Sequence, residues 1–182
     1  MVKKVINEMD FNERDKIEIV ENALSWVVVL AMYVYGFMKP IQFDFDMQSE
    51  VFVSELSGFK LMWFFYSYST PYVILLGLFE AIGATLILIK RTRVIGCLFT
   101  SIILINIVLQ DYFYGVPALK AAIFYQIILL FILWLNKKHI TEAFKKLIRK
   151  KSKNDQKSKR IVKLVIAFTF FLIIRIIEYY LT

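Results

Sequence analysis

The sequence predicts an all-α integral membrane protein: a four-helix bundle followed by a fifth, C-terminal transmembrane helix. Three observations carry this. Apolar residues make up 59% of the chain and mean hydropathy is +0.61, above the roughly half-apolar composition of a soluble domain. The apolar residues come in long blocks. The cationic residues fall between those blocks with a strong bias to alternate connections.

The block at residues 71–89 organises the rest. It holds a single charge, Glu80, at its centre and is closed by Lys90, Arg91 and Arg93. As a helix it is about 28 Å long, enough to cross the hydrocarbon of a bilayer. A carboxyl at that depth is costly, so it is expected to face a protein interior or a wet cavity. Gly77, Ala81, Gly83 and Ala84 share the half of the helix that carries Glu80, and small residues there allow neighbouring helices to approach closely.

Residues 1–22 are polar and mixed in charge, too long and too acidic for the n-region of a signal peptide, and read as a cytoplasmic lead-in. The first crossing is residues 23–38, with Lys39 snorkelling outward and Pro40 ending the helix. Residues 41–70 begin acidic, with Asp44, Asp46, Glu50 and Glu55, and turn aromatic at GFKLMWFFYSYS. A run of aromatics suits the headgroup level, so a short interfacial helix or a re-entrant turn is expected. An interface belt and a quinone or lipid site are both open readings of it.

The third and fourth crossings are residues 94–110 and 119–135. Residues 136–160 form a basic cytoplasmic segment: between residues 137 and 160 there are eleven Lys/Arg and two acids. Ile140, Phe144, Leu147 and Ile148 fall at helical spacing, which predicts an amphipathic helix with Lys145, Lys146, Arg149, Lys150 and Lys151 towards anionic headgroups. This places the net charge of +8 at a membrane surface and not on a nucleic acid. Residues 152–160 read as a charged linker. Residues 161–182 read as the fifth crossing, despite Lys163 and the Arg175 and Glu178 that can pair on one helix face. With the N-terminus inside, the inner segments hold 18 Lys/Arg and the outer side only Lys39, Lys60 and Lys120. That asymmetry predicts a cytoplasmic N-terminus, and the chain reads as a multi-pass protein of a bacterial inner membrane.

Placing the polar residues by depth gives a pattern. Lys39, Gln42, Asp111 and Lys120 lie at outer helix mouths, Asn106 and Gln126 further in, and Glu80 near the midplane. The inner half of the core shows no comparable set. These residues predict a polar vestibule opening outward, with Glu80 at its floor and Lys39 or Lys120 as its countercharge. The alternative is that the same groups satisfy one another as interhelical hydrogen bonds. Catalytic candidates are absent. There is one Cys and one His, so no CxxC pair, thiolate cluster or His metal site is available. No nucleophile triad or Gly-rich phosphate loop occurs, and Cys97 reads as a packing residue.

The stretch MYVYGFMKPIQF, with Gly36, Lys39, Gln42 and Phe43, resembles the first helix of DoxX-like membrane proteins. LSGFKLMWFFYSYS resembles their aromatic outer segment. GLFEAIGATLILIKRTRVIG, with Gly77, Glu80, Gly83, Arg91, Thr92 and Gly96, resembles their second helix and basic turn, and Asn106 in LINIVL also fits. The resemblance covers residues 25–135. It implies a four-helix bundle with polar residues in its core and an accessory role in a membrane assembly, since the family takes its name from a subunit associated with a thiosulfate–quinone oxidoreductase. A quinone is implied by that resemblance alone. Two other functions stand beside it: binding or transport of a small polar or amphipathic ligand, and a structural role in which the basic segment holds membrane lipid or a protein partner.

Overall fold

In a computed structural model that describes residues 12–44, 52–148 and 157–181, every regular element is helical. The chain forms two compact units, Met1–Glu142 and Ala143–Thr182. Arg149, Lys150 and Lys151 of the predicted basic face, Asp46 and Glu50 of the acidic connection, residues 152–156 of the linker and most of the lead-in lie outside the described residues.

Helix α1 is Glu13–Gln42, 30 residues. It starts earlier than the apolar block because Asn12 caps it: the Asn12 side chain accepts from the Arg14 and Asp15 amides at 2.9 and 3.0 Å, and Asp15 accepts from the Asn12 amide. It also ends later than expected. Pro40 lies inside the last turn and does not terminate the helix. The ring removes one N–H within that turn, and the Phe43 amide still donates to the Lys39 carbonyl at 3.1 Å to close the helix.

A 3-10 turn, Val53–Glu55, precedes α2, Gly58–Ser67, whose first turn is capped by Ser57. Then come α3, Thr70–Leu88, with Pro71 in its first turn, and α4, Arg93–Tyr114, which ends on Gly115 at φ 69°. Helix α5 is Leu119–Leu135, and α6, Lys137–Leu147, leaves it at 73°. Helix α7, Lys157–Leu181, belongs to the second unit. It exposes Val165, Phe168, Leu172 and Ile176, and its Arg175 donates to Glu178.

Among the described residues, three helices, α1, α3 and α4, are long and apolar enough to cross a membrane, and α5 with α6 makes a fourth if that bent pair is one span. Helix α1 packs along α3 and α5, and α4 packs along the same two. The core between them is Val28, Met32, Ala84, Ile87, Leu104, Leu129 and Ile132. The outside is as apolar as the inside: Trp26, Leu30 and Phe37 of α1 are 62 to 68% exposed. Meanwhile Ser25, Glu80, Arg93, Thr100, Ser101 and Asp111 are buried. Water would not sustain that much contiguous apolar surface, whereas lipid would.

On α3 the buried positions are Val73, Gly77, Glu80, Gly83, Ala84 and Ile87, a stripe at helical spacing. Gly77 meets Gly36 of α1 backbone to backbone: a Cβ built on Gly77 would lie 2.2 Å from the Gly36 carbonyl oxygen. A Cβ on Gly36 would in turn lie 2.6 Å from the Gly77 carbonyl oxygen, so the contact requires glycine on both sides.

The end of the helices away from Lys39 holds a polar network that the sequence did not suggest. Arg93, 4% exposed, donates from Nε to the Ile87 carbonyl (3.1 Å), from Nη1 to Glu21 (3.3 Å) and from Nη2 to Asn22 (2.9 Å). Asn136 donates to the same Glu21 oxygen at 3.2 Å, and Lys90 pairs with Glu18. The expectation that this half lacks a polar set is therefore corrected. Glu21 and Asn22 were assigned to the lead-in, and Arg93 was counted only for orientation. Because a buried pair broken on one side costs roughly 3–5 kcal/mol, Arg93→Met is expected to lower the unfolding temperature in detergent by roughly 6–20 °C, at about 2–4 °C per kcal/mol. Lys90→Met, which breaks an exposed pair, should leave it within error.

Candidate functional site

At the other end of the helices lies a cavity of about 370 Å³. Its walls are the last turns of α1, one face of α2, the first half of α3, the second half of α4, and Val116 and Ala118 of the short connection to α5. Local sequence explains why these parts meet. Gly115 takes the left-handed conformation that turns the chain sharply after α4, and the Val116 amide donates back to the Asp111 carbonyl at 2.9 Å. Gly58 lets α2 start against that same turn, since a Cβ there would sit 3.2 Å from the Tyr114 carbonyl oxygen.

Helix α2 is held over the cavity by its aromatic face. Phe59 stacks on Trp63 with centroids 4.0 Å apart, and Phe43 lies 5.1 Å from Trp63 and 4.6 Å from Tyr66. The indole N–H of Trp63 donates to the Gln42 carbonyl at 3.2 Å, and the Tyr66 hydroxyl donates to Gln110 Oε1 at 2.7 Å. Burial pushes the Tyr66 phenol above its usual range, so it remains a protonated donor at neutral pH. Phe65 and Tyr68 point away and are exposed. The aromatic run is thus divided between a cavity wall and an outer surface. The spacing of Phe59, Met62, Trp63 and Tyr66, one helical face, was the available signal.

Five of the predicted residues line this cavity together: Lys39, Gln42, Glu80, Asn106 and Asp111. Lys39 places its ammonium 2.6 Å from Glu80 Oε1, with side chains 13% and 1% exposed. It therefore turns in towards Glu80 and does not snorkel outward. The glycine contact one turn away on each helix brings α1 and α3 close enough for that reach. Lys120 is exposed and does not line the cavity, so the countercharge is Lys39. Gln126 is also absent from the lining, and its Oε1 is buried without a hydrogen-bond partner. Gln110 and Tyr35 belong to the site and were not singled out, while the aromatic run, left open between an interface belt and a site, contributes Trp63 and Tyr66 to the lining.

Glu80 Oε2 and Asp111 Oδ2 are likewise buried with no hydrogen-bond partner. Among the described residues, no group of three or more His, Cys, Asp or Glu is placed to hold a metal ion. Cys97 lies in the apolar core, 0% exposed, among packing residues.

The chain is similar to a bacterial protein. It is 28% identical over 114 residues to Uncharacterized protein YwoB of Bacillus subtilis (strain 168), covering 62% of this chain and 74% of that protein. No family model matches the chain, and no solved structure matches it.

Proposed function

We propose that this chain is a multi-pass protein of the bacterial cytoplasmic membrane that binds a small amphipathic molecule in the cavity at its outer face. In this reading α1, α3, α4 and α5 form a four-helix membrane bundle, α7 is a fifth crossing, and the N-terminus is cytoplasmic. The Lys/Arg asymmetry supports that orientation. One observation carries the binding function: polar side chains from α1, α3 and α4 converge with an aromatic wall on a single cavity of about 370 Å³, a size and lining typical of small-molecule sites.

Native mass spectrometry of the gently solubilised protein, with lipid and quinone extraction from the same sample, tests this. Wild type is expected to retain a small molecule that Ile103→Trp, which fills the cavity, loses. Identical bulk lipid in both forms would remove the reading.

A second reading makes the chain a DoxX-like accessory subunit of a quinone-linked redox assembly. The resemblance of Gly36, Lys39, Gly77, Glu80 and Asn106 to that family favours it, and the flat faces of Trp63 and Tyr66 suit a quinone ring. A stoichiometric protein partner in the native spectrum, with quinone in the extract, would establish it. The basic segment has a separate part to play as a lipid contact. Helix α6 carries Lys145 and Lys146 beside exposed Phe144 and Leu147, the composition of a surface-lying helix. Changing both lysines to glutamine should reduce the anionic lipid retained while leaving the cavity's occupant in place.

A further inference from the structure

We infer that the cavity's occupant is an organic monocation with a small apolar body, an alkyl- or arylammonium, held by the carboxylate of Asp111 against aromatic rings. The inference rests on the reading of the cavity as a ligand site.

The charges in the cavity do not balance. Its lining contains one lysine and two carboxylates. The lysine is committed: Lys39 donates to Glu80 at 2.6 Å. Asp111 is 4% exposed and makes no ion pair among the described residues, and its Oδ2 has no hydrogen-bond partner. Glu80 Oε2 is in the same condition on the other side of the Lys39 contact. Each of the two carboxylates in the cavity lining thus keeps an oxygen with no donor among the described residues, and Asp111 shares the field of Lys39 without a contact ion pair of its own. A carboxylate buried as deeply as Asp111 without a contact counterion is costly, and a cation in the cavity lowers that cost.

The remaining wall fits that cation. Phe43, Trp63, Tyr66, Tyr72 and Phe79 line the cavity with aromatic surface, whose faces attract ammonium groups even where no hydrogen can be donated. The alternatives fit less well. A metal ion lacks a ligand set among the described residues. An anion would have to compete with Glu80 for the one ammonium. A neutral quinone brings only acceptor oxygens and leaves both carboxylate oxygens without a donor.

The test compares benzylammonium with ethylbenzene, its uncharged carbon isostere, on the full chain in non-ionic detergent. Trp26→Phe and Trp134→Phe leave Trp63 as the one indole, since the chain has three Trp, and quenching of Trp63 reports occupancy. The ammonium is expected to bind at least tenfold more tightly than the isostere. That ratio should fall below about threefold in Asp111→Asn and be kept in Asp111→Glu. Should Asp111→Asn fail to fold, the ratio in the unsubstituted cavity and in Asp111→Glu still decides.

Equal binding of the two compounds would overturn the cation inference while sustaining the cavity as a ligand site. A preference for the ammonium that persists in Asp111→Asn would overturn the role of Asp111. Absence of binding by either compound would overturn both.

Discussion

Gly77→Ala will destabilise this protein more than any substitution of comparable size elsewhere in α3, and Gly77→Leu will not assemble. The added Cβ would lie 2.2 Å from the Gly36 carbonyl oxygen and 3.1 Å from the Gly36 carbonyl carbon. Both are backbone atoms of a neighbouring helix, so no side-chain rotation relieves the overlap. The helices must move apart instead. Overpacking of this kind costs about 3 kcal/mol, the upper end of the usual range, equivalent to roughly 6–12 °C for a chain of this length. Leu78→Ala, one residue on and 52% exposed, is the control and should leave the unfolding temperature nearly unchanged. The loss should extend to the cavity, because separating α1 from α3 also takes Lys39 out of reach of Glu80. A Gly77→Ala protein as stable as wild type would show that the two backbones do not touch.

The second large effect is Glu80→Gln. It leaves the Lys39 ammonium, 13% exposed, without its anion, and breaking one side of a buried pair costs roughly 3–5 kcal/mol. Combining it with Lys39→Met removes the stranded charge, so the double variant should be more stable than Glu80→Gln alone, with a coupling of about 0.5–3 kcal/mol. The double variant also separates two roles for this pair. If Lys39 and Glu80 only join α1 to α3, the double variant retains whatever wild type carries in the cavity. If the carboxylate belongs to the ligand site, the double variant is folded but empty. Thermal unfolding followed by extraction of the same samples distinguishes the two.

The parts of the fold that the sequence revealed are those written in hydropathy. Residues 119–135 were recovered as α5, Leu119–Leu135, and α3 differs from its apolar block by one residue at each end. Helix α1 was underestimated at both ends, because its extra turns carry charge and proline while their limits are set by the Asn12 cap and by the backbone cap at Phe43. The site was legible to the same degree and for the same reason. Position along a helix gives depth, which grouped Lys39, Gln42, Glu80, Asn106 and Asp111. It does not give azimuth relative to the neighbours, which is why Lys120 and Gln126 were included and Gln110 was passed over. The Arg93 network depends on residues 71 to 115 positions apart in the chain, a pairing that no local pattern encodes.

That network has a consequence for how the molecule is made. Glu21 is among the first residues of the described core to leave the ribosome, yet its partners arrive late: Arg93 follows it by 72 positions and Asn136 by 115. Before Arg93 emerges the carboxylate has no donor from another helix, and α1 is joined to α3 chiefly through the glycine contact and the Lys39 pair at the opposite end. The far rim is thus latched in two stages, first when Arg93 at the start of α4 reaches Glu21 and Asn22, and again when the end of α5 delivers Asn136. A nascent chain stopped short of that residue would already possess its cavity walls from α1 to α4 and the Arg93 contacts, but would lack the bond that ties Glu21 to the end of α5.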